Sequence, residues 1–290
     1  MMRVLVVGAT GNVGRQVVAE LQSAECQIRA LTRQPDIAGF SDDVEVVQGD
    51  LTDSRSLDKC LSGVDAVFVV WTAPAGAAPG AVARIARYAK RIVLLSSPHT
   101  VPHPFFQQPN PVRELHAELD RLVSETGLGW TILRPGMFAD NALTWWAPQL
   151  RGGDVVRWPF ADAPTAPIAG RDIAAAAVCA LLESGHDGAE YVLTGPESLT
   201  QQEQVATIGE VIGRSLRYEE ISPDEARAEL GFPAPVATML LDAWSAALGQ
   251  PAFVTSGVGD VTGRPARTFR SWVTDHVSAF RSDDLRTPPN

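Results

Sequence analysis

Through the first half of the chain, short β-branched apolar runs alternate with stretches whose apolar residues recur at helical spacing. Val4–Val7, Gln27–Thr32, Val44–Gln48, Ala66–Val70, Ile92–Ser96 and Trp130–Leu133 read as six strands. Helices are expected at Val13–Ser23, Asp53–Leu61, Gly80–Lys90 and near Pro111–Thr126. Val67-Phe68-Val69-Val70 and Ile92-Val93-Leu94-Leu95 are apolar without alternation, as a strand covered on both faces requires. Strand–helix alternation of this kind builds βαβ units, so the pattern predicts an α/β fold with a doubly wound parallel sheet.

After Arg134 the pattern changes. Proline and glycine cluster in Pro135-Gly136, Arg151-Gly152-Gly153 and the Pro159–Pro167 region. Helical runs follow at Asp172–Glu183, Thr200–Gly213, Pro223–Leu230, Val236–Leu248 and Thr268–Phe280, with one strand-like insert at Glu190–Thr194. The expected layout is a cofactor-binding sheet domain over 1–140, a smaller, mostly helical substrate-binding cap over 141–281 with some segments returning to the sheet, and a flexible tail over 282–290. Asp172 with Arg171 is expected to form a buried ion pair at a helix start.

Composition narrows the classes. The chain has 290 residues, is 45% hydrophobic and carries a net charge of −10, which suits an enzyme-sized globule and excludes wholesale disorder. Its acidic balance argues against a nucleic-acid partner, and no apolar run approaches the about 20 residues of a membrane span. Cys26, Cys60 and Cys179 have no metal-type spacing and read as buried thiols in a reducing compartment. With no signal-type leader in front of the first strand, a cytoplasmic location is expected. Lysine occurs only at Lys59 and Lys90, so arginine supplies nearly all positive charge, as in a bacterium with a GC-rich genome.

Gly8-Ala9-Thr10-Gly11-Asn12-Val13-Gly14 lies between the first strand and the first helix. Gly8 permits the tight turn, Gly11 lets the backbone approach a pyrophosphate, and Gly14 lets the helix pack on the strand. This places a dinucleotide on a Rossmann-type sheet. The second strand ends in Leu31-Thr32-Arg33, with no carboxylate for a ribose 2′-hydroxyl. Arg33 suits a 2′-phosphate instead, so NADP(H) is the expected cofactor; Arg15 is a candidate second cation.

Gly8–Gly14, Leu31-Thr32-Arg33, Gly49-Asp50-Leu51-Thr52-Asp53 and Gly63–Phe68 together resemble the atypical short-chain dehydrogenase/reductases, within them the NmrA-like and quinone-reductase-like group. Thr131–Asn141, Ile168–Ala174, Tyr191–Glu197 and Thr262–Thr268 extend the similarity over nearly the whole chain. The resemblance implies that Asp50 and Leu51 contact adenine and that Trp71, Thr72 and Ala73 line the adenosine and diphosphate side. It places Ser96 at the active-site serine or threonine, and Pro135, Gly136 and Phe138 beside the nicotinamide. His116 stands where many such relatives carry a lysine, on the edge of the stripe formed by Leu115, Leu119 and Leu122.

The Tyr-x-x-x-Lys pair of the standard reductases is missing: no spacing among Tyr88, Tyr191, Tyr218 and the two lysines provides it. The candidate catalytic residues are therefore Ser96, as a hydrogen-bond donor, and His116, as ribose ligand or proton donor. Substrate or water is the other source of the proton. Trp71, Phe105, Phe106, Phe138, Trp145, Trp146 and Trp158 fall in loops expected around the cleft; exposed there they would favour a flat aromatic ligand, the alternative being that most of them are core of the cap. The leading expectation is an NADPH-dependent reductase of an aromatic ketone or quinone, of polyketide type in natural-product biosynthesis, acting as a monomer or homodimer. A non-catalytic NADP(H) sensor of the NmrA-like type is the alternative, and an epimerase with transiently used cofactor a third.

Overall fold

The computed structural model describes residues 1–110, 112–229 and 231–281. Its centre is a seven-stranded parallel sheet of β1 (Met2–Val7), β2 (Cys26–Thr32), β3 (Val44–Gln48), β4 (Ala66–Val70), β5 (Arg91–Leu95), β6 (Gly129–Pro135) and β9 (Ala189–Leu193). The strand order is β3-β2-β1-β4-β5-β6-β9. Side chains of one strand alternate between two covered faces: Val4 and Val6 enter one core, Leu5 and Val7 the other, and Phe68 and Val67 divide in the same way. That double burial is why these strands read as unbroken apolar runs.

Helices α1 (Asn12–Leu21) and α7 (Gly170–Leu182) supply the first core; α2 (Leu57–Leu61), α3 (Ala78–Ala86) and α4 (Arg113–Ser124) supply the second. The expected helix over Asp53–Leu61 is shorter than its pattern. Asp53 accepts a hydrogen bond from the Arg55 amide and Ser56 Oγ bonds back to the Asp50 and Asp53 carbonyls, so these polar side chains close turns before α2 begins. The strand-like insert near Glu190–Thr194 is β9, and it pairs in parallel with β6 at the sheet edge.

The remaining elements form a third core above the carboxyl ends of the strands. They are α5 (Asn141–Trp145), α6 (Ala147–Gly152), α8 (Gln201–Ile212), α9 (Pro223–Glu229), α10 (Ala234–Ala247) and α12 (Phe269–Asp275), with α11 (Gly257–Thr262) instead lying on the sheet. Two small ribbons, β7 (Val155–Trp158) with β11 (Arg217–Glu220) and β8 (Pro164–Thr165) with β10 (Leu199–Thr200), complete it. Helix α8 begins at a reciprocal cap: Thr200 Oγ1 accepts from the Glu203 amide, and Glu203 accepts from the Thr200 amide. Segments beyond residue 140 return to the sheet, where Ile168, Ile173, Leu193 and Val258 pack into its core.

Three expectations are corrected. Trp146 and Trp158 are buried with Trp244 inside the cap, where Trp158 Nε1 donates to Gln201 Oε1 at 2.6 Å, and Trp145 stacks on Trp158; they hold the cap together and do not line the cleft. Asp172 pairs with Arg267, which also donates its backbone N–H at 2.8 Å, while Arg171 turns to Asp275, since successive residues of a helix point apart. The run Thr268–Phe280 is a helix only to Asp275, followed by a 3-10 turn over Val277–Phe280. Pro111 and Leu230, which bound two expected helices, and the tail Ser282–Asn290 lie outside the described residues. Among those residues no helix is long and apolar enough to cross a membrane.

Because Trp158 is 2% exposed and joins α5, α8 and α10, Trp158→Ala is expected to cost about 3–5 kcal/mol of stability. Chemical denaturation of the variant against the wild type measures it.

Candidate active site

Strand β1 has β2 on one side and β4 on the other, and β4 is reached only after the chain has crossed over; the crevice at this reversal opens at the carboxyl ends of the strands. A cavity of about 830 Å³ occupies it, lined by the glycine turn, Arg33, Asp50, Leu51, Thr72, Ala73 and Phe138. Two glycines of the turn are sterically required. Gly8 has φ +75, and a Cβ on Gly14 would stand 2.1 Å from the Gly8 carbonyl oxygen. Helix α1 starts at Gly11 without a side-chain cap, so its first amides are open to an anion.

These features fit a dinucleotide: a cradle without side chains for the pyrophosphate, and a cation at the far end of β2. Thr10, Gly11, Asn12 and Val13 line the same cavity. Asp50 is held in place by its own turn, accepting from the Thr52 amide and hydroxyl at 2.8 Å, and these hydrogen bonds keep its carboxyl below the usual range. Trp71 is not part of the lining; its Nε1 donates to the Ala73 carbonyl at 2.6 Å and its ring packs on the core below. Arg15 is taken up elsewhere, by the Thr10 and Ala38 carbonyls and the Phe40 ring, and it does not line the cavity.

A second cavity of about 460 Å³ adjoins the first, and Phe138 lines both. With Phe138, Ser96, His116, Pro135 and Gly136 all line it, so the structure brings together the five residues expected at the reacting end. Phe105, Phe106, Met239 and Leu240 make its far wall apolar, and α10 of the cap provides the last two.

Beneath the polar wall lies a network that sequence reasoning missed. Arg134, 2% exposed, donates to Asp120 Oδ2 at 2.7 Å, to the Ser97 carbonyl at 3.1 Å, and to Glu190 Oε2 at 2.9 and 2.7 Å. A longer contact of 3.4 Å reaches Ser96 Oγ. A guanidinium only donates, so Ser96 accepts there, and among the described residues its own O–H has no acceptor. His99 Nε2 lies 3.4 Å from Asp120 Oδ2, and its Nδ1 faces the Ser97 carbonyl at 3.2 Å. His116 Nδ1 and Asp120 Oδ1 are buried without a hydrogen-bond partner among the described residues. Asp120 follows His116 by four residues on α4, so both project toward one face; that i, i+4 spacing was the available sequence signal.

Burial lowers the pKa of both imidazoles below the ordinary histidine value of 6.5, against the opposing pull of Asp120. Near neutrality both imidazoles are therefore biased toward the uncharged form.

Comparison with known proteins bears on this geometry. Residues 8–184 match the model of the NAD(P)H-binding family. The chain belongs to that family. A Streptomyces griseus (4-alkanoyl-5-oxo-2,5-dihydrofuran-3-yl)methyl phosphate reductase is 41% identical over 96% of this chain and 99% of its own. The NAD(P)H azoreductase of Xenophilus azovorans is 34% identical, again over 96% of this chain and 99% of its own. The Escherichia coli NADPH-dependent quinone oxidoreductase, solved with NADPH, superposes with a TM-score of 0.79 at 25% identity, covering 94% of this chain and 99% of that one. The protein is an NAD(P)H-dependent oxidoreductase of the atypical short-chain type, as the glycine turn and the sixth-strand segment indicated.

The lowered histidine pKa values carry a sign. Just below pH 6.5 the unfolded chain binds more protons than the native one. The stability contributed by the neutral, buried imidazoles is thus complete above pH 6.5 and is lost as the pH falls toward their folded values. The thermal midpoint should drop on acidification from pH 7.5 to 5.5, and His116→Gln should make that slope shallower; an identical slope in the variant would contradict the assignment.

Proposed function

We propose that the protein is an NADPH-dependent reductase of small, electron-poor conjugated acceptors, with a 4-acyl butenolide carrying a phosphate ester as the leading substrate class. The observation that carries the reading is the pair of cavities meeting at Phe138: a dinucleotide cradle on one side, and on the other an apolar chamber whose polar wall holds one free hydroxyl donor and no strong acid. When bound, the reduced cofactor supplies the hydride.

The protein's own contribution is orientation and charge stabilisation. Arg33 would pair with the 2′-phosphate, and the glycine turn and the start of α1 would hold the pyrophosphate. Asp50, Leu51, Thr72 and Ala73 would flank the adenosine, and Pro135, Gly136 and Phe138 would place the acceptor against the reacting end. Ser96 would donate a hydrogen bond to the oxygen on which negative charge develops, and His116 would hold the ribose or the substrate.

An acyl butenolide suits such a site chemically. Its ring C=C is conjugated with both the lactone and the alkanoyl carbonyl. Hydride adds to the carbon bearing the phosphomethyl arm, and the π electrons move to an enolate shared by the two carbonyl groups. That anion is stabilised enough to wait for a proton from water, so the missing Tyr-x-x-x-Lys pair is no obstacle. A quinone, the acceptor class expected from sequence, likewise gives a stabilised oxyanion. The Streptomyces reductase, similar over nearly its full length, supports the butenolide among these.

NADPH oxidation followed at the nicotinamide absorbance against a 4-acyl butenolide phosphate, quinones, aromatic ketones and azo compounds tests the reading. Turnover should appear with one of the conjugated acceptors; tight NADPH binding with no turnover on any would favour the cofactor-sensor reading. In the same assay Arg33→Ala should weaken NADPH by about 10- to 100-fold and leave NADH little changed.

A further inference from the structure

We propose that Arg113 is the anchor for an anionic group of the substrate, a phosphate monoester, at the mouth of the smaller cavity. For the identity of the whole substrate this rests on the reductase reading above. The anchor itself rests on the state of the arginine.

Other arginines withdrawn from solvent in this chain are consumed internally. Arg29 pairs with Glu45 and donates to the Cys60 and Ser62 carbonyls; Arg91 pairs with Asp187 and donates to carbonyls at the end of α7; Arg134 is divided between Asp120 and Glu190. Arg113 is half-buried, yet among the described residues no carboxylate lies within 4 Å of its guanidinium. Among the described residues its one side-chain hydrogen bond runs at 3.4 Å to Gln107 Oε1. It is also the one fixed charge on the wall of the smaller cavity, where it borders two shallow grooves that open beside it. Arg33, more exposed, is likewise a cavity-lining guanidinium with no ion pair among the described residues, and the reading above assigns it the cofactor's 2′-phosphate.

Position selects the ligand. Arg113 precedes His116 by three residues on α4, so the two stand on one face about 4.5 Å apart along the axis. An anion joined by a short arm to the reacting carbon reaches Arg113 while that carbon lies on the Ser96 and His116 side. The apolar wall opposite then takes an acyl chain. Glu114 and Asp242 line the outer groove and would repel an anion bound there, which leaves the inner side of Arg113 as its place. A planar fork with five donors favours a phosphate, with two oxygens in reach, over a neutral hydroxyl.

The experiment uses the NADP⁺-loaded protein, so that the Arg33 cavity is filled. Calorimetry with hexyl phosphate and with 1-hexanol is run on the wild type, Arg113→Gln and Arg113→Lys. The preference for the phosphate over the alcohol should fall by about 10- to 100-fold in Arg113→Gln and recover in part in Arg113→Lys. No binding of hexyl phosphate to the wild type, or equal binding to wild type and Arg113→Gln, would overturn the anchor. A kinetic arm compares the butenolide phosphate with its dephosphorylated alcohol: the ratio of their kcat/KM values should fall by a similar factor in Arg113→Gln. If neither butenolide is reduced while hexyl phosphate still depends on Arg113, the anchor stands and the butenolide reading is the part that fails.

Discussion

A guanidinium sealed from water has to be surrounded by acceptors, and at Arg134 that demand organises the reactive end of the molecule. The side chain leaves β6 and draws in a carboxylate from α4, another from β9, and the carbonyl of the segment after β5. Three separate stretches of chain are therefore fixed relative to one another by one residue. Removing Arg134 would leave the Asp120 carboxylate buried without its cation, which costs far more than an ordinary surface ion pair contributes. Ser96 and His99 take their positions from this arrangement, and the polar wall of the smaller cavity is its outer surface.

The division of roles follows. The cradle for the dinucleotide is made of backbone and of residues whose small size is their function, so it depends on the turn at Gly8–Gly14 and on little else. The reacting end is made of side chains brought from β5, α4, β6 and the cap. On the proposed reading, chemistry with an acceptor that forms a stabilised anion would ask of this wall one well-placed donor and exclusion of water, which Ser96 and the half-buried His99 and His116 would supply.

Much of this was legible in the chain. Continuous apolar runs reported strands covered on both faces because that is what two-sided burial selects, and the glycine spacing reported the cradle because only glycine fits at Gly8 and Gly14. The cap was harder. Its tryptophans sit near the cleft in sequence, yet Trp146, Trp158 and Trp244 are the mass around which six short helices pack, and composition does not distinguish a lining aromatic from a core one. The short ribbons escaped notice because strands of two to four residues carry no readable period. The Arg134 network was invisible for a related reason: its members lie 38, 14 and 56 residues apart, and only His116 and Asp120 share a local spacing.

The passage of the chain between sheet and cap has a mechanical consequence. It rises at β6, comes back at Ile168, rises again after β9 and comes back before α11, and these crossings are bonded to one another: Ala139 to Ile168, Gly136 to Leu193, Gly195 to Ala166, Thr255 to Thr194. A body hung on one strand swings like a door. A body laced on along a seam of this kind can only slide a little, because opening would tear several bonds together. The cleft is then built in advance and stays built, and traffic of small molecules through it is governed by the side chains at its lip instead of by the closing of one half upon the other.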